Sequence, residues 1–307
     1  MRRREFIKSA SVVAAGLGIS GSAYANVNEQ AKSNSAKFKL KYAPGLGMFQ
    51  ELTGSKDPID QIKFISDQGF TAIFDNGFPG RDIPTQEKIA AELSNRNMDF
   101  GPYVLYADFS SKSMVLKDDS IRKMLVEKIN QAVEIKKRTG FGLALMVPGR
   151  YDERLSWDYQ TANVIDILRE LSDIAHKGGV TIVLEPLNFH RDHPWLFLKT
   201  IPQTYMICRA VNSPSCKIVN DLYHQQITEG NLIPNIDLAW SEIGAFHCGD
   251  NPGRKEPTTG EINYRSIFKH LYNKGCDKTI CMEHGKSLEG KIGEQAVIDA
   301  YRFCDNF

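Results

Sequence analysis

Four residues in the second half of the chain could together hold a divalent cation. They are Glu185, Asp221, His247 and Glu283, separated by 36, 26 and 36 positions. Each stands at the end of a short, mostly apolar run: Val180 to Glu185, Cys216 to Asn220, Ile243 to Cys248 and Thr279 to Met282. Such runs read as strands, and each interval fits one strand-helix repeat. Three carboxylates and an imidazole suit Mn2+, Mg2+ or Co2+ first, with Zn2+ also possible. Beyond His247 the stretch to Tyr264 is a polar loop of Gly, Pro and opposite charges, as a substrate-contacting loop would be. Taken alone it would equally read as a surface turn. The regular spacing on either side favours the metal.

Those residues need a scaffold that brings distant strand ends to one point. After a polar linker over 26–36, strand and helix signals alternate. Strands are expected at Phe38 to Ala43, Phe70 to Phe74, Phe100 to Tyr106 and Gly142 to Val147, then at the four runs above. Helices are expected from Asp57 to Gln68, Thr85 to Asn97, Asp118 to Thr139, Ser156 to Lys177 and Thr200 to Val211. A weaker helix over Ile227 to Trp240 is interrupted by Pro234, and two more run from Tyr264 to Lys274 and Gly293 to Asp305. Thr85 with Lys88 forms an imperfect capping box, and Gly140 and Gly178-Gly179 stop the helices before them. Eight such pairs predict a single-domain α/β fold, a (β/α)8 TIM barrel over 37–307. In a barrel the C-terminal strand ends ring one mouth.

Residues 1–25 read as a twin-arginine signal peptide: Arg3-Arg4 precede a Gly/Ala-rich apolar run and Ala23-Tyr24-Ala25. The expectation is cleavage, delivery by the twin-arginine export machinery to the periplasm or beyond, and no stable membrane anchor. The leader carries four basic residues and one acid, leaving 34 basic against 36 acidic residues. A near-neutral chain lacks the one-sided basic surface that nucleic acid requires. The six cysteines show no zinc-site spacing and three lie in strand-like runs, so buried free thiols are expected. A homo-oligomer is compatible with the composition.

Leu184-Glu185-Pro186-Leu187-Asn188, Asp221-Leu222-Tyr223-His224-Gln225-Gln226, Pro252-Gly253-Arg254 with Glu256-Pro257, and Gly260-Glu261-Ile262-Asn263-Tyr264 carry a likeness. The sequence resembles the hydroxypyruvate isomerase family of the xylose-isomerase-like barrels, specifically from about Gly179 to His284. His247, where hydroxypyruvate isomerases usually show glutamine, is nearer the sugar epimerase and xylose isomerase branches. The resemblance implies that Glu185 and Glu283 both bind the metal and shuttle a proton, with Asp221 and His247 as the other ligands. His224, Arg254, Glu256 and His190 are candidate contacts to the substrate, with His193 and Trp195 on the same rim.

These groups imply an isomerase or epimerase of a small sugar or keto-sugar. A cation chelating an α-hydroxy carbonyl compound stabilises the enediolate left when a carboxylate removes the intervening C–H proton. Departure of a β-substituent instead would make the same site a lyase of 3-keto-glycosides. A barrel that only binds sugar is the reading from another class.

Overall fold

The computed structural model describes residues 36–307. The predicted signal peptide, and all of the predicted linker but Ala36, lie outside the described residues. The elements in order are β1 (Lys41–Pro44), α1 (Gln50–Thr53), α2 (Pro58–Asp67), β2 (Ala72–Ile73), α3 (Ile83–Arg96), β3 (Asp99–Phe100), β4 (Tyr103–Ala107), α4 (Asp119–Thr139), β5 (Leu143–Val147) and α5 (Trp157–Lys177). They continue with β6 (Thr181–Leu184), α6 (Ile201–Val211), β7 (Cys216–Asp221), α7 (Leu222–Thr228), α8 (Leu232–Ala239), β8 (Ile243–Cys248), α9 (Tyr264–Asn273), β9 (Thr279–Met282) and α10 (Gly290–Asp305).

All ladders are parallel. One sheet runs β1-β9-β8-β7-β6-β5-β4, and β2 pairs with β3. The Gly45–Phe74 bridge joins the end of β1 to the end of β2, and Gly101 N donates to Ile73 O at 2.8 Å. The ring therefore has eight positions, as predicted for a TIM barrel, with the third strand divided into β3 and β4. Gly101-Pro102 makes the break, because proline has no N–H to give a ladder. Closure is helped by Tyr42 Oη donating to Asp305 Oδ1 at 3.0 Å, which fastens β1 to the last helix.

Three helix boundaries depart from the sequence expectation. Asp82, not Thr85, caps α3: its carboxylate accepts from Thr85 N at 2.9 Å and from Thr85 Oγ1 at 2.8 Å. Pro84 thus falls in the first turn, where an amide has no helical partner to lose. Pro234 likewise sits in the first turn of α8 and starts that helix instead of interrupting one. A separate helix, α7, precedes it and begins directly after Asp221. The final helix begins at Gly290, a turn earlier than expected.

Strand alternation sorts the core. Val183, Val219 and Ala245 lie with Leu145, Val147, Leu187 and Leu196 in one cluster inside the barrel, and Cys281 packs with Ala43, Ala72 and Phe74. Intervening residues such as Ile182, Ile218, Phe246 and Ile280 belong to the larger cluster shared with the helices. All six cysteines are free; Cys276 is half-buried and the others buried. Among the described residues no helix is long and apolar enough to cross a membrane.

Candidate active site

Side chains on a strand repeat every second residue. Two positions beyond the interior residues Val183, Val219, Ala245 and Cys281 come Glu185, Asp221, His247 and Glu283, so all four enter the same mouth. One ligand atom from each lies within 4.8 Å of every other. Asp221 is level with His247 across β7 and β8, and His247 with Cys281 across β8 and β9, which sets Glu283 outermost. His247 Nδ1 is 2.9 Å from Glu185 Oε1 and 3.3 Å from Glu283 Oε2.

Burial dominates the electrostatics. It pushes the Glu185 carboxyl up to about 7, with the neighbouring charges of Glu283 and Asp221 adding to the rise and His247 opposing it. Burial also resists the charging of His247, yet the Glu283 and Glu185 carboxylates outweigh it and hold the imidazole well above its ordinary value. Desolvation raises the half-buried Glu283 as well, but His247, Arg254 and the Asn76 amide keep its carboxyl below the ordinary range.

A second ring of groups holds these four. Asn76, beyond β2, donates from Nδ2 to Glu283 Oε1 at 2.8 Å. Arg254 Nη2 donates to Glu283 Oε2 at 2.6 Å and reaches Asp221 Oδ2 at 3.4 Å, and its guanidinium lies 4.8 Å from the Tyr223 ring centre. Arg254 has φ of 49°, a left-handed conformation unfavourable to any residue with a Cβ. It is kept there by its own N–H, which donates to Asp250 O at 2.7 Å, and by Gly285 N, which donates to its carbonyl at 2.9 Å.

The loop after β8 hangs on Asp250, which is fully buried. Its carboxylate accepts from Gly260 N at 2.8 Å and Ile262 N at 3.0 Å. Gly260 is required: a Cβ there would run into Asn251 O.

Asp221 has two tasks. Oδ1 caps α7 by accepting from His224 N at 3.0 Å, which leaves Oδ2 to the mouth. His224 Nδ1 faces two Asn188 donors, the backbone N at 3.3 Å and Nδ2 at 2.7 Å, so it must be the acceptor. The proton of the neutral ring then sits on Nε2, which is buried, 3.8 Å from Asp221 Oδ2 and without a hydrogen-bond partner. Burial holds this ring's pKa down to about 4, so at neutral pH it is an uncharged donor facing the mouth. Asp192 steadies the assembly by accepting from Asn188 Nδ2 at 2.8 Å and Tyr223 Oη at 2.9 Å.

The structure thus brings together Glu185, Asp221, His247, Glu283, His224 and Arg254. It does not bring in Glu256 or His190. The buried Glu256 carboxylate is taken up by Ser287, accepting from its backbone N at 2.9 Å and from its Oγ, and ties the β8 loop to the β9 loop. His190 is exposed, with its ring 4.0 Å from that of Phe189. Its neighbour His193 is the one that turns inward, 5.5 Å from the His224 ring. Asn76, Asp250, Asn188 and Asp192 escaped the sequence reading. A lone polar residue near a strand end carries little signal, although Asn76 and Asp250 each lie two positions beyond a strand-like run.

The four-group cluster fits a divalent cation. Three carboxylates and one imidazole converge at the mouth with one ligand atom from each within 4.8 Å of the others, and hard oxygen donors with one nitrogen are a common set for such ions.

Comparison with known proteins follows the same lines. Hydroxypyruvate isomerase of Escherichia coli K12 is 35% identical over 141 residues, 46% of this chain and 54% of that protein. The chain therefore spans about half the length of that relative. The 3-dehydro-D-guloside 4-epimerase of the same organism is 28% identical over 187 residues, 58% of this chain and 67% of that protein. The crystal structure of the E. coli 3-keto-D-glucoside 4-epimerase superposes with a TM-score of 0.70 at 18% identity, covering 87% of this chain and 100% of that one, and so shares the fold. Residues 62–306 match the model of one family, and the protein belongs to it: the xylose isomerase-like TIM barrels.

Proposed function

We propose that the protein is a metal-dependent isomerase or epimerase of a small sugar or keto-sugar, acting through an enediolate with Glu185 and Glu283 as the acid-base pair. The observation that carries this reading is the placing of buried Glu185 and half-buried Glu283 against one imidazole nitrogen, with Glu185 held up to about 7 and Glu283 held low. One carboxyl near neutrality beside one ionised carboxylate is an arrangement able to give and take a proton at pH 7. The isomerase and 4-epimerase names of the relatives support it.

A divalent cation held by Glu185, Asp221, His247 and Glu283, with Mn2+, Mg2+ or Co2+ preferred, would draw electron density from a carbonyl and its neighbouring hydroxyl and so acidify the C–H between them. The chain's own groups do the rest. Glu283 takes the proton at Oε and Glu185 supplies one, or the reverse, from opposite sides of the substrate. Return to the adjacent carbon isomerises; return to the opposite face epimerises. His224 donates from Nε2 to a substrate oxygen, and Arg254 offers its guanidinium to another.

The test is the metal-loaded protein incubated in D2O with aldoses, ketoses and 3-keto-glycosides. Isomers carrying one deuterium are expected. Release of an aglycone together with an unsaturated keto-sugar would replace this reading with β-elimination, a second reading supported by the 3-dehydro-guloside of one relative's name. Ligand binding without metal, unchanged in Glu185→Gln, and no turnover would leave a sugar-binding barrel. We also infer export by the twin-arginine machinery from Arg3-Arg4 and the apolar run after them. Replacing both arginines by lysine should retain the protein in the cytoplasm, and an unchanged location on fractionation would refute it.

A further inference from the structure

A line of aromatic rings leads out of the mouth. It begins at the buried His224, passes to the half-buried His193 at 5.5 Å between ring centres, and continues to Phe109 at 4.8 Å. Phe109 is 51% exposed, as is Trp195 two residues beyond His193. Singly exposed apolar side chains are ordinary; what sets these two apart is their place on the loops around the mouth, Phe109 against His193 and Trp195 two residues beyond it.

Three loops build this rim and are stitched into one wall. The loop after β4 is folded by Asp108, whose carboxylate accepts from Ser110 N at 2.8 Å and Ser111 N at 3.0 Å. Arg150 in the loop after β5 donates its N–H to Ser111 O at 2.9 Å, bridges to Leu196 in the loop after β6, and lays its guanidinium 5.5 Å from the Trp195 ring centre. Tyr151 N donates to Trp195 O at 3.1 Å. The two exposed rings are therefore carried on backbone that is hydrogen-bonded across loops, and a ligand meeting them would not have to order them first.

We propose that Phe109 and Trp195 form a stacking subsite for the second ring of a glycosidic substrate whose reacting keto-sugar lies over Glu185 and Glu283. The occupant is a pyranose or aryl ring joined through the glycosidic oxygen. Its apolar C–H or π face matches the exposed rings; Phe109 joins the mouth through His193 and His224, and Trp195 stands two residues beyond His193 on the same loop. The proposal rests on the isomerase or epimerase reading and narrows its substrate from a free sugar to a glycoside.

The test compares a free 3-keto-hexose with its 4-nitrophenyl glycoside on the Mn2+-loaded enzyme. Ring stacking of this kind contributes about fivefold in affinity per aromatic. Phe109→Ala and Trp195→Ala should each lower kcat/KM for the glycoside about fivefold more than for the free keto-hexose, mainly through KM, and Trp195→Phe should restore most of it. Equal losses on both substrates, or no loss on either, overturn the subsite. So does a change in oligomeric state of the alanine variants on size exclusion, which would assign the rings to a contact between copies. Equilibrium binding of 4-nitrophenyl glucoside against glucose, followed without turnover, separates the two ideas. Ring-dependent binding that Phe109→Ala weakens, in a protein that turns over no keto-sugar, keeps the subsite and removes the isomerase reading. Turnover without any preference for the second ring does the opposite.

Discussion

On the proposed function, replacing Asp250 separates the job of positioning the loop after β8 from that of holding the metal. The buried carboxylate accepts from two loop amides, Gly260 N and Ile262 N, at 2.8 and 3.0 Å, and makes no bond to the four metal-competent residues. Hydrogen bonds to a charged group contribute about 1.5–3 kcal/mol each, so Asp250→Ala should remove about 3–6 kcal/mol of loop anchoring. If the loss appears as local opening, the lower figure alone shifts the loop equilibrium by about two decades. Arg254 depends on that loop, its N–H donating to Asp250 O at 2.7 Å, so the variant should lose turnover with the opened fraction. Metal affinity should move less than the roughly tenfold or more expected on removing a group that orients a ligand, because the Arg254 guanidinium that leaves Glu283 and Asp221 with the loop takes away a positive charge opposing a cation there. Asn76→Ala is the internal contrast, because Asn76 Nδ2 bonds Glu283 directly at 2.8 Å. Calorimetric titration with Mn2+, kcat/KM and urea denaturation together read the outcome. Wild-type turnover in Asp250→Ala, or weaker Mn2+ binding there than in Asn76→Ala, would refute the division of labour.

Three further outcomes are expected. Relative to Glu185→Gln, metal-stripped wild type should lose stability as pH rises from 5 to 8, a comparison that cancels the opposite contribution of the lowered His224 and His284. Glu185, raised from 4.5 to about 7, is destabilising once ionised, by about 3 kcal/mol, and the raised His247 loses its contribution in the same direction, whereas the lowered Glu283 acts only below its ordinary value. Glu185→Gln should flatten that slope in melting scans, and Mn2+ should raise the melting temperature of the wild type only. Glu294, 1% exposed, accepts from Glu51 N and Leu52 N at 3.1 and 2.7 Å and from Lys286 Nζ at 3.0 Å. Glu294→Ala strands the two α1 amides and should cost about 3–5 kcal/mol in urea unfolding. Gly178→Ala would drive a methyl into the Val133 side chain behind α5 and should cost about 1–3 kcal/mol with little effect on metal binding.

The four metal-competent residues were legible because strand alternation and repeat length are both written in the sequence: two positions before each lies an apolar residue that faces the barrel interior. His224 and Arg254 followed from their place beside them. Glu256 and His190 were equally well placed along the chain, but a loop can turn a side chain either way. Ser287 takes the Glu256 carboxylate, and His190 faces water beside Phe189 while His193 turns inward. Asn76 was hidden for another reason: its partner Glu283 lies 207 positions away, and nothing local marks such a pairing. The helix errors were local. Asp82 and Thr85 are both competent caps, and the choice falls to the residue whose carboxylate reaches the Thr85 amide. Pro234 reads as a breaker until the turn ending α7 makes it a first-turn residue.

The pairing of β1 with β9 also bears on when the site can exist during synthesis. Asp221 and Glu283 are 62 residues apart, an interval of about 3–12 s at ordinary elongation rates. Throughout it the nascent chain holds only part of the ligand set, and β1 still lacks its parallel neighbour. Assembly of the four-residue cluster and ring closure thus wait on the same late strand. On the proposed function, a cation needing all four groups would be selected only after β9 has been made, from the ions of the compartment where that strand finds β1.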